Sequence, residues 1–216
     1  MKKILSLTVV AIALLAANTA NAQMGVSVGY SSMNTTTHYT SGNLSLNDTS
    51  AAMNGIFVGV NYNLELSDGI GLLIGVQGRY NFKNDKKSSS AGTTEVNASQ
   101  VVVDIPLLVN YGFSLGKGLT LSPFVGVTPT LAFSGKTKTV VTGTPLGLLD
   151  GESTTDWYGD GSKRKKLDVA LTFGACLNFN GFRIYGGYNL GMLNQTSAEN
   201  TTIKNQGYFA GVGLAL

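Results

Sequence analysis

The chain contains a single histidine, so general-base chemistry near neutral pH would rest on His38. It stands in Thr35-Thr36-Thr37-His38-Tyr39, with Ser32 and Ser41 nearby. A hydrolase needs a serine or an acid held beside such a histidine. The stretch is rich in Ser and Thr throughout, so proximity says little, and His38 reads as a solvated loop residue. Asp150, Glu152, Asp156 and Asp160, interleaved with Gly151, Gly159 and Gly161, form the densest acidic segment. Their spacing lacks the calcium-loop pattern and its terminal bidentate glutamate. Gly159-Asp160-Gly161 has no strand-to-helix context, which a nucleotide site requires. The one cysteine, Cys176, excludes an intramolecular disulfide and a cysteine-rich metal framework. No catalytic, cofactor-binding or metal-binding set is expected, and no cofactor.

Two charged groups remain. Lys163-Arg164-Lys165-Lys166 is a compact cationic run. Arg79, Asp104, Asp168 and Arg183, with Gln77, are single polar residues set in apolar or small-residue stretches. What either group does depends on the elements that carry it.

Residues 1–22 are expected to be an export signal and 23–216 one domain. Lys2 and Lys3 precede an apolar run, Ile4 to Ala17, and then an A-x-A site at Ala20 and Ala22. The run is short for a transmembrane helix. Removing two of the 15 basic residues against 12 acids leaves a net charge of about +1, so nucleic-acid binding is not indicated.

Beyond residue 23, period-2 alternation dominates. Ile56, Val58, Val60 and Tyr62 share one face, opposite Gly55, Phe57, Gly59 and Asn61. The same pattern recurs at about 70–82, 101–113, 119–133 and 167–179, and more weakly at 24–33, 182–192 and 206–216, making eight strands. Large apolar residues on one face outnumber what an eight-stranded lumen holds; the small polar set suits that lumen. The spacing therefore predicts an all-β, eight-stranded antiparallel transmembrane barrel with its apolar face toward lipid, closed so that every backbone polar group is paired.

The connections alternate long and short: about 34–51, 65–69, 83–98, 114–118, 134–166, 180–181 and 193–205. Short periplasmic turns and long extracellular loops give this alternation. Asn180-Gly181 reads as a type I′ hairpin turn that sets Phe179 opposite Phe182. Aromatics collect at strand ends: Tyr62, Tyr111, Phe113, Phe179 and Phe182 low, Tyr80, Phe82 and Phe133 high. A weak repeat relates Asn61-Tyr62 and Gly69-Ile70 to Asn110-Tyr111 and Gly118-Leu119; hairpin duplication and two solutions to one turn problem explain it equally. Pro106, Pro123 and Pro129 fall inside strands, where each implies a bulge or an uneven rim.

Val103-Asp104-Ile105-Pro106-Leu107-Leu108-Val109-Asn110-Tyr111 resembles the "IPLLLKY"-type strand of porin-family outer-membrane β-barrel proteins common in Bacteroidetes. Ser122-Pro123-Phe124-Val125-Gly126-Val127 is similar to that family's next strand, and Asp168 with Phe173-Gly174-Ala175 to a later one. The resemblance covers most of the chain after residue 22. It implies an outer-membrane location and insertion by the barrel-assembly machinery, and carries no catalytic residues. The chain departs from the family in ending on Leu216 instead of an aromatic.

Placed on this barrel, Arg79, Asp104, Asp168 and Arg183 are expected to form a polar network in a lumen that side chains fill, leaving no channel. Arg79 and Asp104, on neighbouring strands, are the expected ion pair. Lys163, Arg164, Lys165 and Lys166 fall at the level of outer-leaflet head groups, where they suit lipopolysaccharide phosphates. Trp157 and Tyr158 either contact a partner or cover the barrel mouth. The expected role is non-enzymatic: envelope structure, with loops for adhesion or for an extracellular ligand or host surface. The alternatives are a narrow transport channel and a lipid-modifying enzyme.

Overall fold

The computed structural model describes residues 22–41, 44–50, 52–89, 92–143 and 150–216. The expected leader lies outside the described residues except for Ala22, which opens the first strand. Twelve strands follow in chain order: β1 (Ala22–Ser41), β2 (Leu44–Thr49), β3 (Met53–Ser67), β4 (Ile70–Ser89), β5 (Gly92–Asp104), β6 (Leu107–Tyr111), β7 (Phe113–Gly116), β8 (Leu119–Thr142), β9 (Gly151–Asp156), β10 (Leu167–Phe179), β11 (Phe182–Gly191) and β12 (Thr201–Ala215). Antiparallel neighbours run β12-β1-β3-β4, then β5, β6 and β7 end to end as one position, then β8-β10-β11 and back to β12. The ring has eight positions and no free edge. No helix among the described residues is long and apolar enough to cross a membrane; strands do the crossing.

The sheet is inside out relative to a water-soluble barrel. Val58 is 66% exposed and Phe133 60%, while Asn81 and Ser31 are buried. Such an exterior suits hydrocarbon, where exposed apolar area carries no penalty and a closed ring of ladders pairs the backbone.

Phe179 pairs with Phe182 across Asn180 and Gly181, both at positive φ (50° and 86°), as a type I′ turn demands. A Cβ at Gly181 would meet nothing closer than 3.6 Å, so only backbone strain opposes a side chain there. Gly181→Ala is expected to lower unfolding stability by about 1 kcal/mol, read from the urea midpoint of the refolded barrel.

Three expectations need correction. The long connections are largely not loops. β4 and β5 stay paired from Gln77/Asp104 out to Ser89/Gly92, β2 folds back on the outer end of β1, and β9 on that of β8. Lys83 to Ser89 of β4 is polar at every position, and the other extensions carry only scattered apolar residues such as Leu46, Val96 and Val140. No sustained apolar phase announces the strands, yet the ladder propagates because its backbone donors have partners within reach.

The fourth transmembrane strand is broken after Asp104 and again at Gly112. Pro106, inside the first break, has no N–H to give β4, and a further reason lies across the ladder. In an antiparallel pair the N–H and C=O of one residue face the same neighbour. Ile105 N–H donates to the Pro129 carbonyl at 2.8 Å, so the donor that Pro129 lacks faces the break at Ile105. The register continues through Leu107/Val127 and Val109/Val125, which puts the missing donor of Pro123 opposite Tyr111, beside the break at Gly112.

Of the bulge or uneven rim expected at each proline, Pro123 and Pro129 of β8 give no bulge. The register shift falls at Phe133, where Val101 and Val102 pair with Ser134 and Ala132. Pro106 keeps its link to β4 by accepting from Gly75 N–H at 3.0 Å.

Candidate functional site: a stratified lumen

Inward-facing residues of all eight positions converge on one axis, and their chemistry changes along it. At the outer mouth, Trp157 packs against the buried cluster of Met33, Met53 and Ala98. Its indole N–H donates to Thr137 Oγ1 at 2.8 Å, its backbone N–H to the Gly135 carbonyl at 2.8 Å. Gly135 has to be a glycine, because a Cβ there would lie 2.6 Å from the indole. The Arg164 guanidinium carbon sits 4.2 Å from the indole centroid, and Lys166 Nζ 5.9 Å from the Tyr158 ring. Of the sequence alternatives for Trp157 and Tyr158, the structure places them as a cap on the mouth.

This arrangement divides the basic run. Lys163, Lys165 and Lys166 are exposed, whereas Arg164 is half-buried and faces inward over Trp157. The acidic segment is occupied locally: Glu152 pairs with Lys138 at 2.8 Å, Asp156 accepts from Tyr158 N–H at 2.9 Å, and Asp150 accepts from Gly143 N–H at 3.1 Å. Sequence reasoning passed over Lys204, exposed on the outer face of β12 four residues outward of Tyr208.

Under the cap lies a polar layer. Gln100 donates to the Tyr158 hydroxyl at 2.8 Å and accepts from the fully buried Asn81 at 3.1 Å. Burial pushes the Tyr158 phenol up, partly opposed by the Gln100 hydrogen bond and by Arg164. The folded state therefore prefers the neutral phenol, a contribution complete below the ordinary phenol range and lost as pH rises through the higher folded value. Trp157, the only tryptophan, reports on it. Its emission is expected to stay blue-shifted through the ordinary phenol range and to redden only above it, and Tyr158→Phe removes the transition.

Arg79 and Asp104 come next, joined by two parallel hydrogen bonds, Nε–Oδ2 at 2.9 Å and Nη2–Oδ1 at 3.0 Å. Thr130 Oγ1 donates to the same carboxylate at 2.6 Å. Asp168 is not part of this pair; it accepts from Val169 N–H at 2.8 Å and from Asn205 at 3.2 Å. Arg183 lies apart toward the short turns, donating to Asn61 at 3.1 Å and Gln23 at 2.7 Å. Of the four charges expected as one network, only Arg79 and Asp104 bond to each other. Asp168 lines a small upper space with Arg79 but has other hydrogen-bond partners, and Arg183 stands apart.

Two findings correct the picture of a lumen filled by side chains. Below Arg79 and Asp104 is a cavity of about 370 Å³, whose lining reaches Glu65, Gly69 and Ser114 at the short-turn rim. A second space of about 40 Å³ lies above and shares Arg79 in its lining. The partition between them is formed by Arg79, Thr128 and Asn189, which line both, with Asp104 holding Arg79 in place from the lower side. The lower walls are also not all small. Phe57, Tyr185, Phe209 and Phe124 form an inward aromatic chain with centroid spacings of 6.4, 6.4 and 6.3 Å. Each ring lies over a glycine directly across the ladder: Phe57 on Gly29, Tyr185 on Gly211, Phe209 on Gly187 and Phe124 on Gly174. Phe57 had appeared on the inward face in sequence, but the glycine partners became visible only with the register.

His38 is exposed on β1, paired with Asn47 and Thr202. Ser32 lies six residues away along the strand, about 20 Å at the rise of an extended chain, so the fold does not bring that serine to the imidazole. Among the described residues no group of three or more potential metal ligands occurs.

Residues 16–197 match the sequence model of the family described as "Outer membrane protein beta-barrel domain". No curated protein matches the chain. Among solved structures, it is similar to Ail, the attachment invasion locus protein of Yersinia pestis, with 15% identity, 90% of this chain and 99% of that one covered, and a TM-score of 0.36. Neisserial surface protein A gives 11%, 88% and 96%, with a TM-score of 0.39. The outer membrane enzyme PagL gives 14%, 88% and 97%, with a TM-score of 0.33.

Proposed function

Because the chain belongs to the outer membrane protein beta-barrel family and is located in the outer membrane, we propose that it is a non-enzymatic barrel acting through its extracellular hairpins. The proposal includes removal of residues 1–22 on export and insertion by the barrel-assembly machinery. The observation that carries it is continuation of the barrel sheet beyond the upper aromatic residues as the paired hairpins β1–β2, β4–β5 and β8–β9. Loops of that length would be entropically expensive to order on a ligand. Hairpins already held by backbone ladders present Thr, Ser, Asn and Lys side chains in a preset array, suited to adhesion or to a polar extracellular ligand.

The test shortens one hairpin without touching the barrel. Asn84 and Asn97 are cross-strand partners, so an Asn-Gly turn joining them replaces everything beyond. Cells displaying the shortened protein are expected to bind immobilised matrix proteins or glycans about tenfold less, the loss of roughly 1.4 kcal/mol of contact. Unchanged adhesion by a barrel that still shifts on heated gels would reject the hairpin as the binding element. The enzymatic alternative is addressed by mass spectrometry of lipid A with and without His38→Ala, for which no difference is expected.

A second reading is favoured by the exposure of Lys163 and Lys165: contact with lipopolysaccharide phosphates, with Lys204 on the same outer side. Lys163→Ala/Lys165→Ala is expected to weaken lipopolysaccharide binding by about 1 kcal/mol per lysine. Arg164→Ala, by contrast, would redden Trp157 emission and leave that binding unchanged.

A further inference from the structure

The two lumen arginines are treated differently by their surroundings. Arg79 has a carboxylate in two-pronged contact. Arg183 is only 8% exposed, yet its guanidinium donates to two neutral amide oxygens, Asn61 Oδ1 and Gln23 Oε1. The ion pairs recorded among the described residues are Arg79–Asp104, Lys83–Asp85 and Lys138–Glu152; none involves Arg183. A guanidinium carries five N–H donors and is always charged, and amide dipoles do not cancel that charge. Gly25 makes room for this contact, since a Cβ there would come within 2.9 Å of Asn61 Oδ1 and 3.4 Å of Arg183 Nη1.

Arg183 lines the cavity of about 370 Å³, a volume inside the range of roughly 300–1,000 Å³ typical of small-molecule sites. The rings of Phe57, Tyr185, Phe124 and Phe209 line the same cavity. One unneutralised cation beside aromatic walls is the recognition chemistry of a singly charged anion with an apolar body. Glu65 at the rim works against multiply charged anions. The geometry points to the lower lumen as a binding site for a small organic monocarboxylate entering from the periplasmic side, with Arg183 holding the carboxylate and the rings holding its apolar part. This site is separate from the extracellular hairpins and does not depend on their role.

Cys176 lines the same cavity and serves as a natural reporter. Its thiolate attacks a methanethiosulfonate at sulfur, forming a mixed disulfide and releasing methanesulfinate. In the full-length barrel refolded in detergent, an anionic reagent (2-sulfonatoethyl) is expected to outpace a cationic one (2-trimethylammonioethyl) by about tenfold relative to free cysteine, as a local positive potential requires. Benzoate is expected to slow both reagents saturably, with inorganic phosphate about tenfold weaker. Arg183→Gln removes the charge preference and the benzoate protection together; Arg183→Lys keeps the preference. The ratio between reagents is independent of how much thiolate each variant contains.

A folded barrel with no charge preference and no benzoate protection overturns the proposal, as does protection that persists in Arg183→Gln. Phosphate protecting better than benzoate overturns the monocarboxylate assignment. If Cys176 reacts with neither reagent or the variants fail to fold, the Arg183 Nε–H resonance of the native barrel decides: a saturable shift with benzoate supports the site, and an unmoved resonance rejects it.

Discussion

Asp104→Ala is expected to destabilise the refolded barrel by about 3–5 kcal/mol, the range for removing one partner of a buried ion pair. Both side chains are almost fully enclosed, at 10% and 7% exposure, so only water from the cavity beneath could replace the lost oxygens. The substitution strands the Arg79 guanidinium and releases Thr130 from its acceptor. The double variant Arg79→Met/Asp104→Leu removes both charges and is expected to lie within about 1–2 kcal/mol of the native protein, because apolar replacement of a complete pair is often neutral. Urea unfolding in lipid vesicles, followed by tryptophan emission, measures all three. A loss below about 1 kcal/mol for Asp104→Ala would mean that water reaches Arg79 from the cavity beneath and that the partition is wet. Planar-bilayer conductance of the same variant tests this separately, with no steady current expected from the native barrel.

The second large effect is expected where rings lie over glycines. Gly29→Val places a Cβ against the Phe57 ring, the Ala210 carbonyl oxygen and, at 2.8 Å, Gly211 Cα. The ring can turn; the main chain of β12 cannot move without breaking the closing ladder with β1. Gly29→Val is therefore expected to abolish formation of a heat-modifiable barrel. Phe57→Ala removes a ring that is 4% exposed and is expected to lose about 3 kcal/mol, the low end for a buried phenylalanine, because a cavity already adjoins it. Combining the two is not expected to rescue assembly, since the main-chain clash remains. A folded double variant would show that the ring alone, and not the close strand approach, requires glycine at position 29.

How much was legible follows from which interactions are periodic. Arg79 and Asp104 could be set on adjoining inner faces from alternation alone, because one buried face locks the phase of every residue along a strand. The Asn180-Gly181 turn was readable because its requirement is local. The outer hairpins were not: Lys83 to Ser89 is polar at every position, and no hydrophobic phase distinguishes a strand from a loop. The inward turn of Arg164 depends on Trp157 being seated over Gly135, a contact across 22 residues of sequence. The lower cavity escaped for a related reason. Side-chain volumes suggested a filled lumen, but each large ring is absorbed by a glycine on the next strand, and the register that pairs them is visible only once the ring of strands is closed.

The partition at Arg79 and Asp104 has an electrical consequence. A well open to the periplasmic electrolyte and blind at its upper end carries the periplasmic potential almost to the middle of the barrel. Any potential difference across the outer membrane then falls over the short stretch from the ion pair to the Trp157 cap, in place of the full hydrocarbon thickness. The field there is correspondingly steeper, and the dipole of the Arg79–Asp104 pair sits at its lower boundary.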